Sequence, residues 1–409
     1  MRTIAVFSFS RAESGLYFPI IKYLGRQQDF QFRFYIGGAH LLKPFGHTAD
    51  EFENFHIPIS GKIDFIKRDK KIGYDIPTSA ADEFRRLLPL FKRRKFDYLM
   101  VLGDRWELIP LVYLSFLHRI PIFHIGGGEN TEGVIDNDIR HAITKFAHVH
   151  FVVNEIYARN LSRMGEEDWR IVITGAPGLE NIRRLRLSSR LAVRKKFRLI
   201  PSEPYFLVTF HPETARSPAK TMASLQSLLD HVCRSGYQAI VTYPNLDLFS
   251  NEVIQCVQEA ARKNANLRLF PHLGIHWYLS CMKYCSAVIG NSSSGIVEAP
   301  FLRVPTINIG QRQRGRLFAS SIIQVDNVDS ELETAIKYVL QDRKYIKDLT
   351  STKSLYGDGR TSEILTMALR QIVRLPYEIL LQKKYHSRIY KKDWNRLCKD
   401  QLSSLLKRA

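Results

Sequence analysis

"YLMVLGDRWELIPLVYLSFLHRIPIFHIGGGE", residues 98–129, sets two short apolar runs either side of a longer one. "YLMVL" and "IPIFHI" are strand-length and, His124 apart, apolar throughout, as expected of strands covered on both faces. "WELIPLVYLSFLHR" between them repeats its apolar residues at helical spacing. A strand, a helix and a second strand in that order argue for a parallel sheet with helices on its faces. Each strand also runs straight into polar residues, "GDR" after the first and "GGGE" after the second.

The same alternation extends in both directions. "TIAVFSF", "FRFYIGG", "HVHFVVN" and "IVITGA" read as further strands within the first 176 residues, with "FPIIKYLGRQQ" and "ADEFRRLLPLFKRRK" as helices among them. A second series begins near residue 204 with "YFLVTFH", "QAIVTYP", "LRLFP", "AVIGNSS" and "PTINIG". At 409 residues the chain exceeds what one ordinary core accommodates. Two α/β halves are therefore expected, joined through the charged stretch around 178–203. The segment "SEILTMALRQIVRL" (362–375) reads as one late helix, and a basic tail follows Pro376, packed on its own protein in the simplest reading.

Composition excludes several classes. Apolar content of 45% and charged content of 24% suit a water-soluble globular chain. No apolar run nears the roughly 18 residues that span a bilayer. "MRTIAVFSFSRAESG" reads as a buried first strand, since Arg11 ends its short apolar run and no cleavage-type small residues follow. Five cysteines without a C-x-x-C pair argue against zinc or disulfide frameworks and fit a reducing cytoplasm. The net charge of +20 invites a nucleic-acid reading. However, its two maxima, 183–198 and 382–409, carry no recognition signature, and a solvated basic face is the simpler account.

In open α/β sheets ligands bind beyond the carboxyl ends of the strands, and five of those ends carry polar residues. They are Asp104 and Arg105 in "GDR", Glu129 after "GGG", His211 in "HPET", Asn245 in "PN", and the serines of "GNSSSG". The stretch "HIGGGENTEGVIDNDIRH" (124–141) adds Asp136 and Arg140. Its glycines allow close backbone approach but match neither G-x-G-x-x-G nor a P-loop, so no dinucleotide or ATP site is inferred. Asp104, Glu129 and Asp136, with His211, form a set able to divide acid and base duties. Arg105 and Arg140 beside them suit an anionic substrate better than a metal ion. "GNSSSGIVEAP", with "RQRGR" downstream, offers helix N–H groups and hydroxyls to a diphosphate, while Asn291 or a serine there can equally serve as an N-cap.

Taken together, these stretches resemble the hydrolysing UDP-N-acetylglucosamine 2-epimerases. The matches run in order: "SRAESG" (10–15), "VLGDRWE" (101–107), "HIGGGENTEGVIDNDIRHAITK" (124–145) and "TGAPGLENI" (174–182). "FHPET" (210–214), "GNSSSGIVEAP" (290–300), "TINIGQRQRGR" (306–316) and "YGDGR" (356–360) follow. The resemblance implies a GT-B-like fold, two Rossmann-like domains with the nucleotide sugar between them and a late helix crossing back to the first. On that pattern the domains are 1–178 with the catalytic carboxylates, 179–360 for UDP, the returning helix 361–375 and the tail 376–409. It implies Asp104, Glu129, Asp136 and His211 as catalytic residues. Arg11, Arg105, Arg140, Asn245, Ser292, Ser293, Glu298 and Arg316 are implied for substrate binding, with no metal and no cofactor.

The activity implied is conversion of UDP-N-acetylglucosamine and water to N-acetylmannosamine and UDP, as for sialic-acid-type products, in a cytoplasmic homo-oligomer (dimer or tetramer) without nucleic-acid or integral membrane partners. Three departures bear on the substrate: Ser14 where relatives often have an aromatic, Asn137 where some have Asp, and Gly126 in place of a larger residue. They are compatible with a UDP-2,4-diacetamido-2,4,6-trideoxy sugar as the alternative substrate. A GT-B glycosyltransferase shares the fold but is disfavoured by the ordered acidic motifs.

Overall fold

The structure, a computed structural model, describes residues 1–384 apart from 44–46, 70–72 and 94–95. Its strands are β1 Arg2–Ser8, β2 Phe30–Gly37, β3 Ile59–Ile63, β4 Lys67–Asp69, β5 Gly73–Asp75, β6 Tyr98–Leu102, β7 Ile122–Ile125, β8 Val149–Val152 and β9 Ile171–Ile173 in the N-terminal half. The C-terminal half carries β10 Tyr205–Thr209, β11 Gln238–Thr242, β12 Leu267–Phe270, β13 Ala287–Gly290, β14 Thr306–Ile309 and β15 Ile322–Val325.

β3-β2-β1-β6-β7-β8-β9 form one parallel sheet and β12-β11-β10-β13-β14-β15 another, while β4 and β5 make a small antiparallel hairpin. Every residue of β6 and β7 is buried, as continuous apolar runs in a doubly covered sheet require. Two edge strands, β3 and β15, stand outside the expected set. "ISGKI" and "IIQV" are short and only partly buried, so neither carries the continuous apolar signal of the central strands.

The strand orders fix where a ligand can sit. In the first sheet the chain winds outward from β1 to β3, then returns to place β6 on the other side of β1. The second sheet repeats this around β10 and β13. Each reversal opens a crevice beyond the strand ends, and the loops after β1, β6, β10 and β13 carry "SRAES", "GDR", "HPET" and "NSSSG".

The late helix, Thr361–Ile372, buries Leu365, Leu369 and Ile372 in the same core as Phe18 and Ile21 of helix Arg11–Leu24, returning the chain to the N-terminal half. Its Ser362 donates its amide and hydroxyl to Glu180 Oε2 at 2.8 and 2.7 Å. Glu180 lies on helix Pro177–Arg184, which contains the expected domain limit at 178/179 and touches both halves. Asn181 donates to the Gly15 carbonyl of the first half, while Glu298 of the second packs against Gly178. Of the basic tail, residues 376–384 pack on the N-terminal half, and 385–409 lie outside the described residues. No helix among the described residues is long and apolar enough to cross a membrane.

Candidate active site

Between the halves lies a cleft with a cavity volume of about 320 Å³. It is lined by Asp104, Arg105, Glu129, Asp136 and Arg140 from the first half, and by His211, Asn245, Ser292, Ser293, Glu298 and Arg316 from the second. Arg11 begins the first helix, and its side chain lies outside the described residues.

The acidic loop is built by its glycines. Gly128 has φ +83°, and a Cβ there would fall 2.4 Å from the Tyr157 carbonyl oxygen, so only glycine lets the chain pass. Gly126 (φ +92°) and Gly103 (φ +89°) instead face open space, with nothing nearer than 3.9 Å to a Cβ at either. His124 is buried, which pushes its pKa down to about 3, so it is neutral and donates from Nε2 to the Gly103 carbonyl at 2.8 Å. Asn137 accepts the Thr131 amide at 2.9 Å and so ties the loop to the following helix. It therefore acts locally, while its neighbour Asp136 lines the cleft and Asp138 is exposed.

Each carboxylate has a different environment. Asp104 pairs with Arg140, which also donates to the Glu129 carbonyl at 2.9 Å. Burial works against the Asp104 charge, but Arg140, Arg316 and Arg105 outweigh it and hold its pKa below the usual range. Glu129 pairs with Arg316 at 2.8 Å across the cleft. Asp136, in the first turn of helix Asp136–Phe146, has no ion-pair partner among the described residues. Burial, then the charges of Asp104 and Asp247, push it up to about 7 against the pull of Arg105 and Arg312. Two acids in one cleft are thus driven apart, one held ionised and one poised to exchange a proton near neutrality.

The opposite wall is cationic and rich in donors. Helix Ser293–Phe301 opens on the cleft with Ser292 as its N-cap, so the capping role is made, and Ser292, Ser293 and Ser294 also line the cavity. Its Glu298 is pushed up to about 7 by burial. His211 is held by Asn291 at both backbone groups, at 2.7 and 2.8 Å, and its Nδ1 accepts the Asn245 amide at 3.2 Å, leaving the ring hydrogen on Nε2.

Three lining residues, Arg312, Glu13 and Tyr278, and Asp247 behind Arg105 are not singled out by the sequence. Arg312, inside the quoted "RQRGR", lines the cavity and donates to the Asn291 carbonyl at 3.3 Å. Asp247, two residues beyond Asn245, pairs with Arg105, which also donates to the Leu246 carbonyl at 2.6 Å. Glu13, in "SRAES", is pushed up to about 8 by burial and then by Glu107. Tyr278, whose hydroxyl lies 2.6 Å from Ser294 Oγ, sits at core-like helical spacing and gave no signal.

The halves are also buttoned together by backbone. Glu132 N donates to Arg314 O at 3.0 Å, and Ala215 N to Gly133 O at 3.2 Å. Among the described residues no group of three or more His, Cys, Asp or Glu side chains is placed to hold a metal ion.

A family model described as UDP-N-acetylglucosamine 2-epimerase matches residues 22–370. The chain is 35% identical over 341 residues to a protein of Campylobacter jejuni named GDP/UDP-N,N'-diacetylbacillosamine 2-epimerase (hydrolyzing), covering 81% of this chain and 87% of that one. A Legionella pneumophila protein named UDP-N,N'-diacetylbacillosamine 2-epimerase (hydrolyzing) is 28% identical, with 91% and 96% covered. In fold, the crystal structure of a Neisseria meningitidis UDP-GlcNAc 2-epimerase bound to UDP-GlcNAc superposes with a TM-score of 0.77 at 17% identity, over 91% of this chain and all of that one. By the extent of that family match and by these relatives, the chain belongs to the UDP-N-acetylglucosamine 2-epimerase family.

Proposed function

We propose that this protein is a hydrolysing UDP-sugar 2-epimerase acting on a UDP-2,4-diacetamido-2,4,6-trideoxy sugar of the diacetylbacillosamine type. The observation that carries the reaction is the cleft itself. Asp104, Glu129 and Asp136 stand on one wall, and a serine-opened helix N-terminus with Arg312 and Arg316 stands on the other. An anion-binding wall facing differentiated carboxylates suits elimination of a diphosphate from a sugar. A base takes H2, the C2–H electrons form the C1=C2 bond, and the C1–O electrons leave with UDP. Water then adds at C1 while C2 is reprotonated on the opposite face, giving UDP and the free 2-epimeric sugar.

Asp136 is the proposed base. Without a salt partner and with a pKa near the working pH, it combines basic strength with a usable unprotonated fraction, and positioned proton transfer of this sort contributes about 10²–10⁴-fold. Asp104, held ionised by Arg140, fixes that arginine and the acidic loop. Arg312, Arg316, the His211 Nε2–H and the Ser293 amide take the charge developing on the leaving diphosphate. Glu298 and Asn245 serve the nucleoside.

The choice of sugar rests on two supports. The two relatives named above carry diacetylbacillosamine in their names. In addition, Gly103 and Gly126 leave open space beside the carboxylates, room that suits a 4-acetamido group. This takes precedence over the UDP-N-acetylglucosamine reaction, which stays the second substrate to try.

The test is proton NMR in D2O with each UDP-sugar separately. UDP release together with a free 2-epimer deuterated at C2, faster from the diacetamido substrate, is the expected result. UDP release with C2 undeuterated refutes the elimination, and faster turnover of UDP-N-acetylglucosamine refutes the choice of sugar.

A further inference from the structure

Helix Asp136–Phe146 begins in the cleft and ends on the far side of the sheet, just before β8. At that end Ala147 is extended (φ −71°, ψ 147°), so the helix stops abruptly and its last carbonyls need outside partners. They find one side chain from the far end of the described chain. Lys383 Nζ donates to the carbonyls of Thr144, Lys145 and Ala147 at 3.3, 3.2 and 2.7 Å, and pairs with Glu166 Oε2 at 2.6 Å. Four acceptors around three ammonium hydrogens make a full socket.

The segment bearing Lys383 is fastened on both sides. Arg170, itself 1% exposed, donates to the carbonyls of Ile379, Leu380 and Gln382 at 2.9, 2.9 and 2.8 Å. Beyond the socket, the Lys384 amide donates to Glu167 Oε2 at 3.0 Å, and Glu167 in turn pairs with Arg170 at 2.6 Å. A second line leads from the socket to the catalytic side. Glu166 also bonds His150 Nε2 at 3.1 Å, and His150 is the strand partner of His124, which holds the Gly103 carbonyl beside Asp104.

The other end of the helix has no side-chain cap, since its N-cap is Ile135. It is tied instead through Asn137, which accepts the Thr131 amide, through Arg140 on Asp104 and the Glu129 carbonyl, and through the Ile135 amide on Thr214 Oγ1. The socket at the far end is therefore the second anchor of the helix that carries Asp136 and Arg140.

We propose that Lys383 is a positioning residue: by capping helix Asp136–Phe146 it fixes where Asp136 and Arg140 stand in the cleft. The inference rests on reading those two as site residues. It acts through geometry rather than charge, because the helix places the ammonium about 15 Å from Asp136, with Arg105 and Arg312 much nearer.

The test compares the full-length protein with its Lys383→Met and Lys383→Arg variants, measuring UDP release and amide hydrogen exchange. Lys383→Met is expected to lower kcat about tenfold across the pH range with KM within about twofold, since a misplacement near 1 Å is costly even far from the chemistry. Lys383→Arg, which can refill the socket, is expected to recover most of kcat. Exchange should quicken along the whole of 136–147. An unchanged kcat per folded molecule, with only the melting temperature lowered, overturns the proposal. So does a shift of the acid limb of the pH profile without loss of plateau rate, which would mean a field effect. If the unmodified protein turns over neither UDP-sugar, the functional reading fails separately, and exchange decides this one: quickening confined to 143–147 refutes it, and quickening that reaches 136–140 supports it.

Discussion

Gly133→Ala is the sharpest probe of how the two halves assemble the site. Gly133 sits between Glu129 and Asp136, and a Cβ there would lie 2.6 Å from both Arg312 Cα and Gln311 O. These are backbone atoms, so no side chain can swing aside. Restoring a 3.4 Å contact requires a shift of about 0.8 Å between the loops. No positive φ is involved at this glycine, and the substitution carries no local backbone strain of that kind. The displacement therefore falls on the seam where Glu132 and Gly133 bond Arg314 and Ala215, between the carboxylates and the anion-binding wall. Misalignment of that size costs up to about 10²-fold, or about 2.7 kcal/mol of barrier. Steady-state UDP release should show kcat/KM falling by about that factor, while UDP affinity, assigned to the second half by proposal, should change by less than about fivefold. A Gly133→Ala variant within about threefold of the unmodified enzyme would refute the idea that this seam sets catalytic geometry.

As the proposed base, Asp136 must be unprotonated to take H2, and its raised pKa keeps it protonated at low pH. kcat/KM should therefore climb with pH, reach half its limit near 7 and level off above that, as read from a pH–rate profile, and Asp136→Asn should remove about 10²–10⁴-fold of turnover. Gly128→Ala forces a Cβ to 2.4 Å from the Tyr157 carbonyl at a positive φ, and should destabilise the protein by about 1–3 kcal/mol in urea unfolding.

The parts of this molecule legible in sequence are those where one residue's environment is set by its near neighbours along the chain. β6 and β7 announce themselves because both faces are covered and every position but His124 is apolar. The strand-end rule then collects Asp104, Glu129, His211 and Asn245 without any distance being known. β3 escapes because its apolar residues are spaced by Ser, Gly and Lys, so "ISGKI" resembles a loop, whereas the edge strands β9 and β12, also only partly buried, are legible from their apolar residues. The pairing of the charges was not legible for another reason. Arg105 meets Asp247 and Glu129 meets Arg316 across 142 and 187 positions, and no spacing rule reaches between two sheets. The same holds for Lys383, which sequence assigns only to a basic tail.

Those cross-cleft pairs lead to a prediction about binding that runs against simple intuition. Arg316 is 2.8 Å from Glu129, so an arriving diphosphate that needs Arg316 must compete with a carboxylate already there. Removing the competitor's charge with Glu129→Gln leaves the guanidinium available and relieves repulsion between carboxylate and phosphate. A charge-assisted hydrogen bond contributes about 1.5–3 kcal/mol, and regaining part of one should tighten UDP binding about five- to tenfold. Arg316→Met should do the reverse, weakening UDP at least tenfold and leaving Glu129 buried without its partner. Both variants should lose turnover, the first because a site carboxylate is gone and the second because the leaving group is unsupported. Titration calorimetry with UDP separates them. Weaker UDP binding in Glu129→Gln would mean that Arg316 belongs to the acidic loop alone and takes no part in holding the diphosphate.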